Sequence, residues 1–104
     1  MAAQYGTTLF SVIPTGIHNR VAVDSSITLT APAGAEILEF QAETTAGNFV
    51  RLTLDGTTPT ATLGFMFDTA MGVQRLDLYE GVATVKFIGS AAGQFVNFQW
   101  YMAR

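Results

Sequence analysis

The stretch QFVNFQWYM, residues 94–102, alternates between two kinds of side chain along its whole length. One face carries only apolar residues, namely Val96, Phe98, Trp100 and Met102. The other face mixes aromatic and amide residues, beginning with Phe95 and ending with Tyr101. Because successive side chains of a strand point to opposite sides, this period of two predicts a β-strand with one buried face.

The same period recurs through most of the chain. Alternating or β-branched runs predict further strands at 7–13, 26–30, 36–43, 49–55, 64–67, 75–79 and 82–88. Turn residues separate these runs about every ten residues, and Glu80-Gly81 is typical of a short hairpin. Only 67–73 could hold a helical turn, capped by Asp68 or Thr69. Seven to eight strands without a convincing helix predict one antiparallel β-sandwich domain over residues 1–104, jelly-roll-like or immunoglobulin-like.

The composition points to a protein that hides part of its surface. Of the 104 residues, 49% are hydrophobic and only 12% are charged, whereas roughly 25% is usual for charged residues. A membrane protein is disfavoured because no apolar run approaches the ~20 residues of a spanning helix. A very apolar core is a second explanation. We favour a third, burial of surface against partners in an obligate assembly.

Charge and cysteine content exclude further classes. The net charge is −3, and the five basic residues are scattered singly, so nucleic-acid binding is not expected. There is no cysteine, which excludes disulfides and thiol chemistry. The start of the chain, MAAQYGTTLF, lacks the charged and apolar regions of a signal peptide.

The carboxylates are best interpreted as a solvated strand face. Glu39 and Glu43 share one face of the strand predicted at 36–43. A catalytic pair would need two carboxyls within ~5–10 Å of each other in a cleft. We instead expect a hairpin through 45–48 to bring Arg51 opposite this acidic row, forming cross-strand charge pairs.

No residue pattern indicates catalysis or a bound metal. His18 is the only histidine, in the loop-like segment TGIHNR (15–20), with no nucleophile motif near it. Zinc sites need several Cys or His ligands, and calcium loops need closely spaced acidic residues, whereas Asp55 stands alone until Asp68. The phosphate-loop lysine and helix are also missing. We expect no enzyme, no metal and no cofactor.

The segment LTLDGTTPTATLGFMF, residues 52–67, is interpreted as a connection between strands. Asp55 can accept a hydrogen bond from the backbone two residues on, and Gly56 tolerates a positive φ. Pro59 fixes an extended step, and Gly64 permits a bend before the next strand. Because 56–62 is longer than a tight hairpin needs, we predict that it crosses from one sheet to the other.

At this segment the chain resembles a family of small structural proteins from tailed-bacteriophage virions. They carry an alternating strand, an Asp-Gly-Thr-x-Pro-Thr-Ala segment, a Gly and an apolar strand, as in DGTTPTATLG. The flanking pieces 27–43, 49–56 and 85–101 resemble the family's other strands and turns. The resemblance covers roughly residues 27–101, and the motif is a structural one.

The resemblance implies a capsid decoration or cement protein. It implies the major capsid protein and further copies of the chain, as dimer or trimer, as partners, with no nucleic acid and no membrane. The protein would be made in the host cytoplasm and lie on the capsid surface. Residues 1–13 are either a first strand or an arm that orders on binding. The candidate contact residues are Tyr5, Leu9, Phe10, Ile13, Phe95 and Tyr101.

Two other functions stay open. A tail or fibre module that binds a host glycan would show an exposed groove of aromatic and carboxylate groups. Phe95, Phe98, Trp100 and Tyr101 could form such a platform, although Phe98 and Trp100 share the apolar face expected in the core. A small enzyme ranks last because the chain lacks a plausible general base.

Overall fold

The computed structural model describes residues 12–78 and 84–103, and nearly all of the regular structure in them is β. The eight strands are β1 Val12–Ala22, β2 Ile27–Thr30, β3 Ile37–Glu43, β4 Val50–Thr53, β5 Phe65–Phe67, β6 Val73–Asp77, β7 Thr84–Gly89 and β8 Phe95–Ala103. A single 3₁₀ turn, Thr69–Met71, lies within the predicted 67–73 stretch. The all-β prediction is confirmed.

The strands form two antiparallel four-stranded sheets. The first sheet has the order β1-β8-β3-β6 and the second has the order β2-β7-β4-β5. Only β4 and β5 are both consecutive in the chain and paired, so every other connection passes from one sheet to the other. This is the strand order of an eight-stranded, jelly-roll-like sandwich built from Greek keys, as predicted.

The core lies between the two sheets, on the faces that the alternation indicates. Val96, Phe98 and Trp100 of β8 are at most 7% exposed. Phe40 of β3 meets two rings of the opposite sheet edge-on, Phe67 at 5.0 Å and Phe87 at 5.2 Å between ring centroids. Such edge-to-face pairs add to the burial of the rings and hold the two sheets together.

One end of the sandwich is closed by a buried amide. The Gln94 side chain is fully buried, and its Oε1 accepts a hydrogen bond from the Thr45 N–H at 2.7 Å. Its Nε2 donates to the Ala92 carbonyl at 3.0 Å. A single side chain therefore connects the β3–β4 turn with the β7–β8 turn.

The first strand differs from the prediction. β1 runs from Val12 to Ala22 and pairs with β8 along most of that length, so the segment 15–20 is strand rather than loop. The register shifts between Thr15 and Asn19, and Gly16 has a φ of +75°. This bulge accommodates the polar stretch that looked like a loop. Most of the strand predicted at 7–13 lies outside the described residues.

Two pairings expected from the sequence are wrong for one reason, which is that the connections concerned cross from one sheet to the other. Arg51 does not face the acidic row, because β3 and β4 belong to different sheets. Glu39 lies opposite Arg75 of β6 instead. The hairpin predicted at 80–81, itself outside the described residues, is excluded because β6 and β7 also lie in different sheets.

The prediction that the segment 56–62 crosses between the two sheets is also wrong. The segment does not cross, since β4 and β5 are antiparallel neighbours with Leu52 opposite Phe65 and Val50 opposite Phe67. The length of the connection reflects a folded loop, described below.

Candidate interaction surface

The β4–β5 loop is closed by its own side chains. The Thr57 N–H donates to Asp55 Oδ1 at 3.0 Å, and Gly56 between them has a φ of +88°. The backbone hydrogen bond from Thr57 is the main reason that the pKa of Asp55 is lowered. The Thr53 hydroxyl donates to the Thr57 carbonyl, and the Pro59 ring is fully buried. The loop is thereby held against the sandwich.

The end of this loop approaches β4 closely. A Cβ on Gly64 would lie 3.0 Å from the Leu52 carbonyl oxygen and 3.1 Å from its nitrogen. Gly64 also has a φ of +124°, which L side chains rarely adopt. The Arg51 guanidinium donates from Nη1 to the Gly64 carbonyl at 2.7 Å and lies near the Phe49 ring. These contacts fix where β5 begins.

The strand that follows presents apolar side chains to solvent. We define the β5 apolar edge as the exposed large hydrophobic residues of β5, of the loop before it, of the turn after it and of the start of β6: Leu63, Phe65, Met66, Met71 and Val73. Each is at least 48% exposed, and Phe65 reaches 64%. Their summed exposed area is on the order of 500 Å². Because Phe65 and Met66 are consecutive in β5, this area is divided between the two faces of the second sheet.

An open pocket of about 460 Å³ lies beside this edge. It is lined by Leu52, Thr53, Leu54, Asp55, Thr57, Leu63, Gly64 and Phe65. Most of the lining is apolar. The one carboxylate, on Asp55, already accepts a hydrogen bond from Thr57. The pocket therefore favours an apolar group over a charged or strongly polar ligand.

The contact residues predicted from the sequence do not gather at this edge. Tyr5, Leu9 and Phe10 lie outside the described residues. Ile13 is on β1, the strand at the other side of the first sheet from β6, and is 36% exposed. Phe95 and Tyr101 are half-buried near opposite ends of β8.

Phe95 takes part in a separate, polar cluster on the outer face of the first sheet. The Arg20 guanidinium lies 3.7 Å above the Phe95 ring centroid and makes two hydrogen bonds to the Glu43 carboxylate, at 2.9 and 3.0 Å. Asn97 donates to the same carboxylate. The hydrogen bond from Arg20, then that from Asn97, lowers the pKa of Glu43. The Arg20 guanidinium and the Glu43 carboxylate therefore neutralise each other, and neither is placed to act as a catalytic acid or base.

The described part of the chain offers little chemistry beyond these contacts. No group of three or more His, Cys, Asp or Glu side chains in residues 12–78 and 84–103 is arranged to hold a metal. His18 is exposed on β1. None of the helical structure in the described ranges is long and apolar enough to span a membrane. No family model, no curated protein and no solved structure matches the chain.

Proposed function

We propose that this chain is a structural protein of a tailed-phage virion that decorates or cements the capsid through contacts with the major capsid protein. The observation that carries the proposal is the exposed apolar surface, which comprises Ile17 on β1, 85% exposed, and the five side chains of the β5 apolar edge. An exposed apolar surface of this extent favours burial against another protein. The low charged fraction, 12%, supports the same conclusion.

The assignment to a virion rests on the resemblance carried by DGTTPTATLG. In this chain the motif forms the self-closed loop between Asp55 and Gly64. A loop held by its own hydrogen bonds loses little entropy on binding, which favours association. Cement proteins act by burying surface across neighbouring capsid subunits, at about 1,200–2,000 Å² for a standard interface.

The proposed docking side for the capsid is the β1 side of the sandwich. β1 is an edge strand on which Ile17 is 85% exposed, and residues 1–11 precede it. Tyr5, Leu9 and Phe10 would supply apolar anchors to a capsid groove. β5 is an edge strand of the second sheet, so docking through β1 of the first sheet leaves the β5 apolar edge for another partner.

Co-sedimentation with phage heads tests this function. Purified chain is mixed with separated heads and with separated tails of the phage that encodes it, after both have been stripped of the native copy. We expect saturable binding to heads and none to tails. Binding to tails alone would overturn the capsid role, and binding to neither would overturn the virion role.

A tail or fibre module that binds a host glycan is the second candidate. The pocket beside β5 places the Phe65 ring and the Asp55 carboxylate in one lining, which is the combination that such a module needs. Its mainly apolar wall weighs against it, because sugars require several free polar partners. A glycan array probed with the purified chain distinguishes the two functions, since a cement protein should give no specific signal.

A further inference from the structure

The described residues form four edge strands, and two of them, β1 and β6, carry side-chain or backbone features that discourage pairing with another strand. β1 contains Pro14 and a bulge. β6 alternates with the charged residues Arg75 and Asp77. β2 is a short strand whose Thr28 and Thr30 are exposed. Prolines, bulges, charges and short length are the usual protections of an open sheet edge.

β5 differs from the other edges in its side chains. Its sequence is Phe65-Met66-Phe67, with no charge, proline or bulge, and its short length is the one protection that residues 12–78 and 84–103 give it. An edge strand has unpaired backbone N–H and C=O groups along its open side. On β5 these groups are bordered by the exposed side chains of Phe65 and Met66.

We propose that two copies of the chain associate through β5, antiparallel, about a two-fold axis at Met66. In this arrangement Met66 lies opposite Met66 of the partner subunit, and Phe65 lies opposite Phe67 of the partner subunit. The two second sheets then join into one eight-stranded sheet. In this pairing no like charges lie opposite each other across β5. The same pairing centred on β6 would place Arg75 opposite Arg75 of the partner subunit.

The two-fold arrangement also matches the apolar residues beyond the strand. In the antiparallel pair, the start of one β5, preceded by Leu63, lies beside the end of the other β5. The turn that carries Met71 follows that end. The β5 apolar edge exposes on the order of 500 Å² in all, against the ~800 Å² that each partner buries in a standard interface, and the paired backbones of the two strands add to the contact. Self-complementary contacts of this kind give closed dimers rather than open chains.

The partner is therefore a second copy of this chain. The inference is independent of the virion role, since a dimer could form whether or not the chain binds a capsid. Head binding and dimer formation are measured separately, so that either proposal can fail alone.

The first experiment uses the absence of cysteine from the native sequence. In Met66→Cys, any disulfide must join two chains. Residues directly opposite in antiparallel strands have Cα atoms about 4.5–5.5 Å apart, inside the range of about 4.4–6.8 Å that a disulfide spans. We expect Met66→Cys to be trapped as a covalent dimer under mild oxidation. Ile17→Cys, at a more exposed position on β1, is the matched control and should stay largely monomeric on a denaturing gel.

The second experiment measures association by sedimentation equilibrium. The native chain should sediment at twice the mass of one chain. Met66→Lys should weaken the dimer at least about tenfold, because pairing would gather two lysines beside the two Arg51 side chains. Ile17→Lys, the same change on β1, should leave the dimer intact. Circular dichroism of both variants shows whether each is folded.

Several results would overturn the proposal. These are a monomeric or trimeric native chain, a Met66→Cys variant that cross-links no better than Ile17→Cys, or a folded Met66→Lys variant that dimerises normally. If Met66→Lys does not fold, the cross-linking comparison decides alone.

Discussion

The Arg51 guanidinium on β4 donates to the Gly64 carbonyl at 2.7 Å, two residues before Met66, the residue that lies opposite Arg51 in β5. The side chain predicted to pair with the acidic row of β3 instead secures the start of β5. This contact and the close approach of Gly64 to Leu52 place the apolar strand at the open side of the second sheet. The surface that we assign to dimer formation therefore depends on these two residues.

Gly64→Ala should destabilise the fold by about 2–3 kcal/mol, because the new Cβ would press on the Leu52 backbone and the φ of +124° is unfavourable for alanine. Urea unfolding at one fixed protein concentration measures this change. Gly47→Ala is the control: Gly47 also has a positive φ, +80°, but its Cβ would meet nothing within 4 Å. It should cost about 1 kcal/mol. Equal losses in the two variants would contradict the close approach at Gly64.

Gln94→Ala should lower the free energy of unfolding by about 2 kcal/mol, since it empties a fully buried side-chain position and the Thr45 N–H loses its acceptor. Gln74→Ala removes the same side chain from a more exposed site, where Nε2 donates to the Met71 carbonyl. This control should cost less than about 0.5 kcal/mol. If both substitutions cost the same, Gln94 does not connect the two turns as described.

The Arg20–Glu43 pair predicts a dependence of stability on pH. The folded-state pKa of Glu43 lies below its ordinary value of 4.5. The pair therefore stabilises the fold above the unfolded-state pKa, and this contribution is lost as the pH falls through the lower folded-state value. A double-mutant cycle of Arg20→Gln and Glu43→Gln should show a coupling of about 2 °C in melting temperature at pH 7, and none once Glu43 is protonated. Coupling that grew on acidification would contradict the assignment.

Deletion of residues 1–11 should abolish head binding, because it removes the proposed anchors Tyr5, Leu9 and Phe10 and keeps every described strand, the first of which begins at Val12. A variant with Tyr5, Leu9 and Phe10 all changed to alanine keeps the chain length and should bind as poorly as the deletion. Head occupancy is read from co-sedimentation, and folding from circular dichroism. Unchanged occupancy in both variants would show that this segment is not the docking arm.

The sequence was most informative where local chemistry decides the structure. The alternation at 94–102 predicts which side of β8 is buried, and Val96, Phe98 and Trp100 lie there. The Asp-Gly dipeptide predicts both the hydrogen bond two residues on and the positive φ of Gly56. Each of these outcomes depends on neighbours within a few residues.

Long-range pairing was not predictable from the same patterns. A period of two shows which residues share a face, yet it does not show which strand lies alongside, so Arg51 was assigned to the wrong neighbour. The polar residues at 15–20 concealed the length of β1, because the bulge near Gly16 depends on its pairing with β8.

The β5 apolar edge was missed for a related reason. The run from Gly64 to Phe67 looks like a short buried strand, because apolar residues are normally inside. Only the sheet order shows that β5 is at an edge, with Phe65 and Met66 open to solvent. The preceding Gly64, which permits the close approach to β4, was the one local signal of an unusual strand.

The copy number of the chain in purified virions tests the central claim most directly. Quantitative mass spectrometry, with labelled peptides of this chain and of the major capsid protein, gives the ratio of the two. A cement protein that follows the capsid lattice should be present in hundreds of copies, in a fixed ratio to the capsid protein. Absence from the virion, or a few copies that purify with the tail, would contradict the account.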